Sequence, residues 1–220
     1  MLSLPNLSLI TNGGGFGQDF FIQARSGGRV ELPQVAEIVD PVAGDTRRGI
    51  FVTSDGVDSV IGLTSLTSFN DAGGGALSTL NASNGGEIVV PNLPELRSVA
   101  ITVNTGSQIP TSQIESVVNG SITVNNTAAD FSSLTDLTNA SITFDGPDAQ
   151  SDLSSITTID GASLFATGGA TLSLPGVTNY SNSIDDIFRA DGEGSVLSLP
   201  NLSLITNGGG FGQDLSLIHI

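Results

Sequence analysis

The sequence predicts an all-β chain wound as a right-handed parallel β-helix, a β-solenoid of about nine coils, on three observations. The motif L-x-L-P-x-L-x-x-I recurs with its third position at Leu4, Leu32, Leu63, Val90, Thr111, Phe131, Leu153, Leu174 and Leu199. Similarity at steps of 20 to 31 residues marks stacked repeats, each one supersecondary unit resting on the next. Just ahead of the motif, apolar residues alternate with polar ones, the period of a strand. No amphipathic stretch of helical period reaches ten residues, and Ser, Thr, Asn and Gly dominate the polar positions.

The first strand of each coil carries its inward residues two apart: Ile101 and Val103, Ile122 and Val124, Ile142 and Phe144, Leu164 and Ala166, Phe188 and Ala190. Past a Gly or Asn turn comes a second strand, as at Leu172 and Leu174, followed by Val177 and Tyr180 at a spacing of three. That wider step implies a corner. Pro5, Pro33, Pro91, Pro175 and Pro200 fall at one register just after the inward Leu or Val, where a missing N–H costs no ladder bond. A lone coil cannot offset the entropy of ordering its backbone, so stacking must supply the rest through parallel pairing and closure of the apolar column.

Length variation is confined to one register. From the last motif residue to the next strand the step is five in the middle of the chain: Leu96 to Ile101, Val117 to Ile122, Leu137 to Ile142 and Ile159 to Leu164. In the outer coils it swells to TNGGGFGQDFF after Ile10, VDPVAGDTRRG after Ile38, NDAGGGALST after Phe69 and SNSIDDI after Tyr180. Insertions at one register land on one edge of a solenoid, so these segments are expected to form a loop ridge, the place to look for a binding surface.

Composition excludes several classes of function. The 220 residues carry 22 acids against 6 bases, a net charge of −16, and every base is an arginine. Such a chain cannot assemble the basic patch that nucleic acid requires. No apolar run approaches the roughly 20 residues of a membrane-spanning helix, and Met1 is followed by LSLPNLSL with no basic leader. With no cysteine there is neither a disulfide framework nor a thiolate metal site.

The segment LSLPNLSLITNGGGFGQD occurs twice without a mismatch, at Leu2 to Asp19 and at Leu197 to Asp214, a displacement of 195 residues. The first copy continues as FFIQARSGGR, the second as LSLIHI. The codons CTG TCT CTT ATA CAC ATC encode LSLIHI and resemble the end of a transposase adapter used in sequencing-library preparation. Residues 215–220 are therefore read as adapter, and 1–214 as an internal piece of a larger repetitive protein. Met1 stands where the second copy has Val196, as it would if an internal GTG codon were taken for a start. His219, the only histidine, then falls outside the native segment. With neither end carrying a polar capping coil, the fragment is expected to self-associate.

The runs LPELRSVAITV at Leu93 to Val103, SLTDLTNASITF at Ser133 to Phe144 and LSSITTIDGASLFATGG at Leu153 to Gly169 resemble the leucine-rich coils of right-handed β-helices. They are similar to receptor L-domain and fungal cell-wall repeats, and to leucine-rich arrays in very large secreted bacterial proteins. The receptor-type members carry cysteines that this chain lacks, so their ligand-binding role and functional residues do not carry over. The bacterial surface-array resemblance implies an extracellular or cell-surface segment, and Lys, Cys and Trp are absent while Ser, Thr, Asn and Gly abound.

Parallel β-helices often process acidic polysaccharides with clustered carboxylates, often aided by calcium. The best cluster is Asp185, Asp186, Asp191 and Glu193, a weak calcium candidate, with Arg189 facing outward beside Phe188 and Ala190 and able to pair with these acids. Asp145, Asp148 and Asp152 suit turn chemistry instead. Gly13, Gly14, Gly15 and Gly17 are followed by no helix pattern and no lysine, so they form a corner rather than a phosphate loop. A serine nucleophile would find no native His or Lys as base. No catalytic residue and no cofactor beyond possible Ca²⁺ is expected. The function that follows is a non-enzymatic structural or adhesive repeat segment whose partners are surface glycans or neighbouring repeats. The competing expectation is a carbohydrate-binding or polysaccharide-degrading β-helix, of lyase, hydrolase or phage tail-spike type, with its site on the ridge.

Overall fold

The computed structural model describes residues 1–13, 15, 17–42, 47–73, 78–182, 185–207 and 214–219. Its strands pair only in parallel, no helix occurs among the described residues, and stacked coils make a β-solenoid of about 8 turns. Nine motif copies give eight full turns because the first copy, Leu2–Ser3 with Leu9–Thr11, begins without a strand of the longest sheet ahead of it.

Each turn visits three faces. The first is a continuous nine-stranded sheet running from Phe20–Arg25 at one end to Leu215–His219 at the other. The second begins as a four-stranded sheet ending at Glu87–Val89 and resumes as the pair Thr171–Ser173 and Val196–Ser198. The third is a five-stranded sheet ending at Ser116–Val118, resumed by Asn179–Asn182 and Leu204–Asn207. Between these blocks the shortest coils lack residues for full strands, and single parallel bridges carry the ladder: Ala128 to Gln150, Ser116 to Asp136 and Asp136 to Thr158. The wider step at Val177 and Tyr180 is the corner that opens the third face, and the recurring prolines start the turn before it.

Register aligns equivalent residues along one axis. On the first face Ile22, Val52, Leu80, Ile101, Ile122, Ile142, Leu164 and Phe188 stack in order. On the third, Ile10, Ile38, Phe69, Leu96 and Val117 do the same. The motif position is buried from Leu32 to Leu174, including the one polar substitute Thr111, whose hydroxyl donates to the Asp130 carbonyl at 2.5 Å. These columns form one apolar core, and burying them offsets what ordering each coil costs.

The corner between the third and first faces takes two forms at one register, always two residues past the last core residue of the third face. In the tight coils it is left-handed: Ser98, Asn119, Asn139 and Gly161 have φ of 51, 56, 52 and 66°. Asn and Gly tolerate that region best. In the swollen coils the same register holds Asn12, Asp40, Asp71 and Asn182, all buried. The chain there runs on past the corner instead of turning, and a polar side chain points into it.

Candidate functional site

The ridge is therefore built around buried polar groups. Asp40 and Asp71 are register partners, and Asn12 sits on Asp40, its N–H donating to the Val39 carbonyl at 3.1 Å. Arg48 comes in from the swollen loop and is fully buried, its Nε 2.7 Å from Asp40 Oδ1. Its Nη2 donates to the Pro41 carbonyl at 2.6 Å. The Asn12 amide donates to Asp40 Oδ2 at 3.3 Å and to the Gln18 carbonyl at 3.0 Å. Asp71 Oδ2 accepts from both the N–H (3.0 Å) and the hydroxyl (2.7 Å) of Ser78, and Ser78 Oγ accepts the Ile50 N–H at 2.8 Å. One hydrogen-bonded net thus ties three successive coils together where their insertions begin.

A second net lies further along the same ridge. Tyr180 donates its hydroxyl to Asp186 Oδ2 at 2.7 Å, and its ring packs against Phe188 with centroids 4.7 Å apart. Burial, then the hydrogen bond to the Asp186 carboxylate, raises the phenol far above its usual range, so it stays protonated. Replacing Tyr180 by Phe keeps the ring packing but leaves Asp186, only 2% exposed, without its hydroxyl donor. Denaturant unfolding is expected to show a loss of about 1–3 kcal/mol.

The four candidate calcium ligands are not brought together. Asp185 and Glu193 are exposed, Asp186 is turned inward onto Tyr180, and Asp191 is half-buried and paired with Arg189 on the outer face. Asp186 and Asp191 are the two ends of one strand, about 16 Å apart at the usual rise of an extended chain. Extension and alternation separate what sequence proximity grouped. Among the described residues, no set of three or more His, Asp or Glu is arranged to hold a metal. The pairing of Arg189 with an acid of this group is present as expected.

Of the other acid group, Asp152 makes a short-range turn bond, its Oδ1 accepting the Ser154 N–H at 2.9 Å, whereas Asp145 Oδ1 accepts the hydroxyl of Thr167 on the adjacent strand at 2.7 Å. Asp148 donates its N–H to Asn126 Oδ1. In the glycine run Gly14 lies outside the described residues, as do 43–46, 74–77, 183–184 and 208–213 of the ridge segments. Leu215–His219 pairs as the last strand of the first face.

Titration separates the buried from the exposed acids. Burial holds the Asp71 carboxyl above its ordinary value of 3.8, the hydrogen bonds from Ser78 opposing the shift and the Asp40 charge adding to it. Asp130 and Asp152 are held below that value, chiefly by hydrogen bonds from Ser132 and Ser154. The folded state thus binds the Asp71 proton more tightly than the unfolded chain does. Its contribution to stability is complete below the ordinary carboxylate value and falls as pH rises through the folded one. For Asp130 and Asp152 the contribution is present above the ordinary value and is lost as pH falls through theirs. Carboxyl ¹³C titration is expected to place Asp71 above 3.8 and the other two below it.

Arg48 and the corner net are what sequence reasoning missed, since it reads the swollen segments as a loop ridge without buried partners. A partial signal was present at the register two residues past the last core residue: Asp stands there in two of the swollen coils, at Asp40 and Asp71, whereas Asn occurs in both corner forms. The described residues also form an open groove away from the ridge. It lies where the second face loses its strands, holds about 360 Å³, and is lined by Glu87, Ser107, Gln108, Thr111, Ser112 and Asp130 among others. No helix of the described chain is long and apolar enough to cross a membrane. Against known proteins, neither the family models, nor the curated proteins, nor the solved structures contain a match to this chain.

Proposed function

We propose that this chain is a non-enzymatic structural or adhesive segment of a secreted or cell-surface protein, a stiff rod of stacked coils that sets distance. The observation that supports this reading is the use made of the buried carboxylates. Asp40 is held by Arg48, Asp71 by Ser78 and Asp186 by Tyr180, so each braces a corner of the solenoid rather than facing a cleft. The abundance of Ser, Thr, Asn and Gly and the absence of Lys and Cys suit an exported repeat protein.

The carbohydrate reading finds its best place in the second-face groove, where Glu87 and Asp130 stand among hydroxyl and amide side chains. One experiment divides the two. The chain is incubated with polygalacturonate, alginate and neutral glucans, with and without calcium, while new reducing ends, unsaturated products and glycan retention are followed. The spacer reading expects no turnover in any arm. Turnover that disappears in Glu87→Gln or Asp130→Asn would replace it with the enzymatic reading, and retention without turnover would make the segment adhesive.

A further inference from the structure

In the middle of the rod the second face skips one rung of its parallel ladder. Glu87 bridges Gln108 and Ala128 bridges Gln150, but no bridge joins Gln108 to Ala128. Gln108 spends its N–H on the Gly86 carbonyl and its own carbonyl on the Ile88 N–H, both in the coil before it. Thr127 and Ala129 bond in the same way to Gln150, in the coil after. The C=O and N–H of a trans peptide point to opposite sides. The Ser107 carbonyl and the Ile109 N–H therefore face the break from one side, and the carbonyl and N–H of Ala128 face it from the other. Among the described residues none of these four groups has a hydrogen-bond partner.

Two threonines hold the break open. Thr105 donates its hydroxyl to the carbonyls of Asn125 and Asn126 at 3.1 and 2.8 Å. Thr111 donates to the Asp130 carbonyl and accepts the Asp130 N–H at 3.2 Å. At each end of the break a side chain thus stands where backbone would otherwise meet backbone, which accounts for a buried threonine at a motif position that is elsewhere apolar. The hollow between them is the groove of about 360 Å³, a size at which clefts hold small ligands. Val103, Ile109, Pro110 and the short Ala129 give it an apolar wall, and Glu87 and Asp130 are its charged residues. Asp130 Oδ1 is taken by the N–H and hydroxyl of Ser132. Arg29, in the adjoining hollow that shares Glu87, is paired with Glu31.

We infer that this slot binds one hexosamine unit carrying a free, protonated amine. A pyranose ring has an apolar face for Ile109 and Pro110 and hydroxyls that both donate and accept, as the four unpaired backbone groups require. The ammonium answers Glu87 and Asp130, in a wall that holds no cation, on a chain of net charge −16. The same charge repels uronic acids. A polypeptide strand could supply backbone groups too, but it would have to run through the slot, and the Thr105 and Thr111 bonds close both of its ends. The sugar therefore enters as the terminal unit of a glycan. This deepens the adhesive side of the reading proposed above, and rests on it for its use.

Titration of the whole chain with methyl β-glucosaminide, followed by amide NMR, is expected to give a dissociation constant near millimolar, about tenfold tighter than for methyl glucoside. Methyl galacturonate should not bind, and added salt should weaken the glucosaminide alone. The bound sugar should slow hydrogen exchange at the Ile109 and Ala128 N–H groups, while Gln108 and Ala129, already bonded, change little. Glu87→Gln and Asp130→Asn each remove one charge, and the second keeps an acceptor for Ser132. Each should erase most of the tenfold preference and leave the weak binding of methyl glucoside. No binding of the glucosaminide, a preference unchanged in both variants, or tighter binding of an oligolysine peptide at the same amides overturns the inference. Any of these leaves the spacer reading standing. Cleavage of chitosan by a chain that also binds the glucosaminide would instead overturn the non-enzymatic reading and keep the site.

Discussion

Arg48→Met is expected to cost about 3–5 kcal/mol, because it leaves a fully buried carboxylate without its cation. Asp40 would keep the Asn12 amide at 3.3 Å, and its register neighbour Asp71 is a carboxyl whose charged form burial disfavours. The Pro41 carbonyl would also lose the guanidinium that bonds to it. In a solenoid each coil touches only its neighbours, so damage is local before it is global. Hydrogen exchange should therefore show lost protection in residues 20–40, 50–71 and 78–97, while 121–167 keeps its own. The double variant Asp40→Leu with Arg48→Met removes both charges together, and most of the stability should return. If the double variant is no more stable than Arg48→Met alone, the stranded charge is not the source of the loss.

The stacking of the coils was legible because it depends on residues of one coil at a time. Ile101, Ile122, Ile142 and Leu164 announce their register through alternation alone, and the constant five-residue step preserves it from coil to coil. The corner net was not legible in the same way. Whether Arg48 lies in solvent or in the core is decided by Asp40 eight residues earlier and by Asn12 one coil below, and a charged loop residue read alone defaults to solvent. The four acids from Asp185 to Glu193 are spread apart for the opposite reason, since residues within nine positions look close until the strand between them is extended.

The two corner forms also explain why the ends of the rod differ from its middle. Where the corner residue is left-handed, as at Ser98, Asn119 and Asn139, the chain re-enters the first face at once, without the buried polar corner residue of the swollen coils. Those coils lean chiefly on the apolar column and on their strand ladders. The swollen coils gain the buried Arg48–Asp40 ion pair and buried hydrogen bonds, which fix geometry but contribute less net stability than their number suggests. Substitutions in the column should therefore be felt most in the middle.

Phe144→Ala tests this directly. Phe144 is fully packed, and in its column it stands between Val124 and Ala166, with Ala190 beyond. Its ring fills space that two successive alanines leave, so its removal puts three alanines in a row. Neighbouring strands are locked by the first-face ladder and cannot collapse into the gap. A loss of about 3–5 kcal/mol is expected, the upper part of the range belonging to sites that do not relax. Because the site sits near mid-rod, unfolding should split into two transitions, one for the coils on each side, whereas Arg48→Met should detach one end only. Phe144→Leu refills most of the volume and should restore a single transition. A Phe144→Ala chain that still unfolds in one step, with stability within about 1 kcal/mol of the parent, would mean that the ridge rather than the column holds the middle coils together.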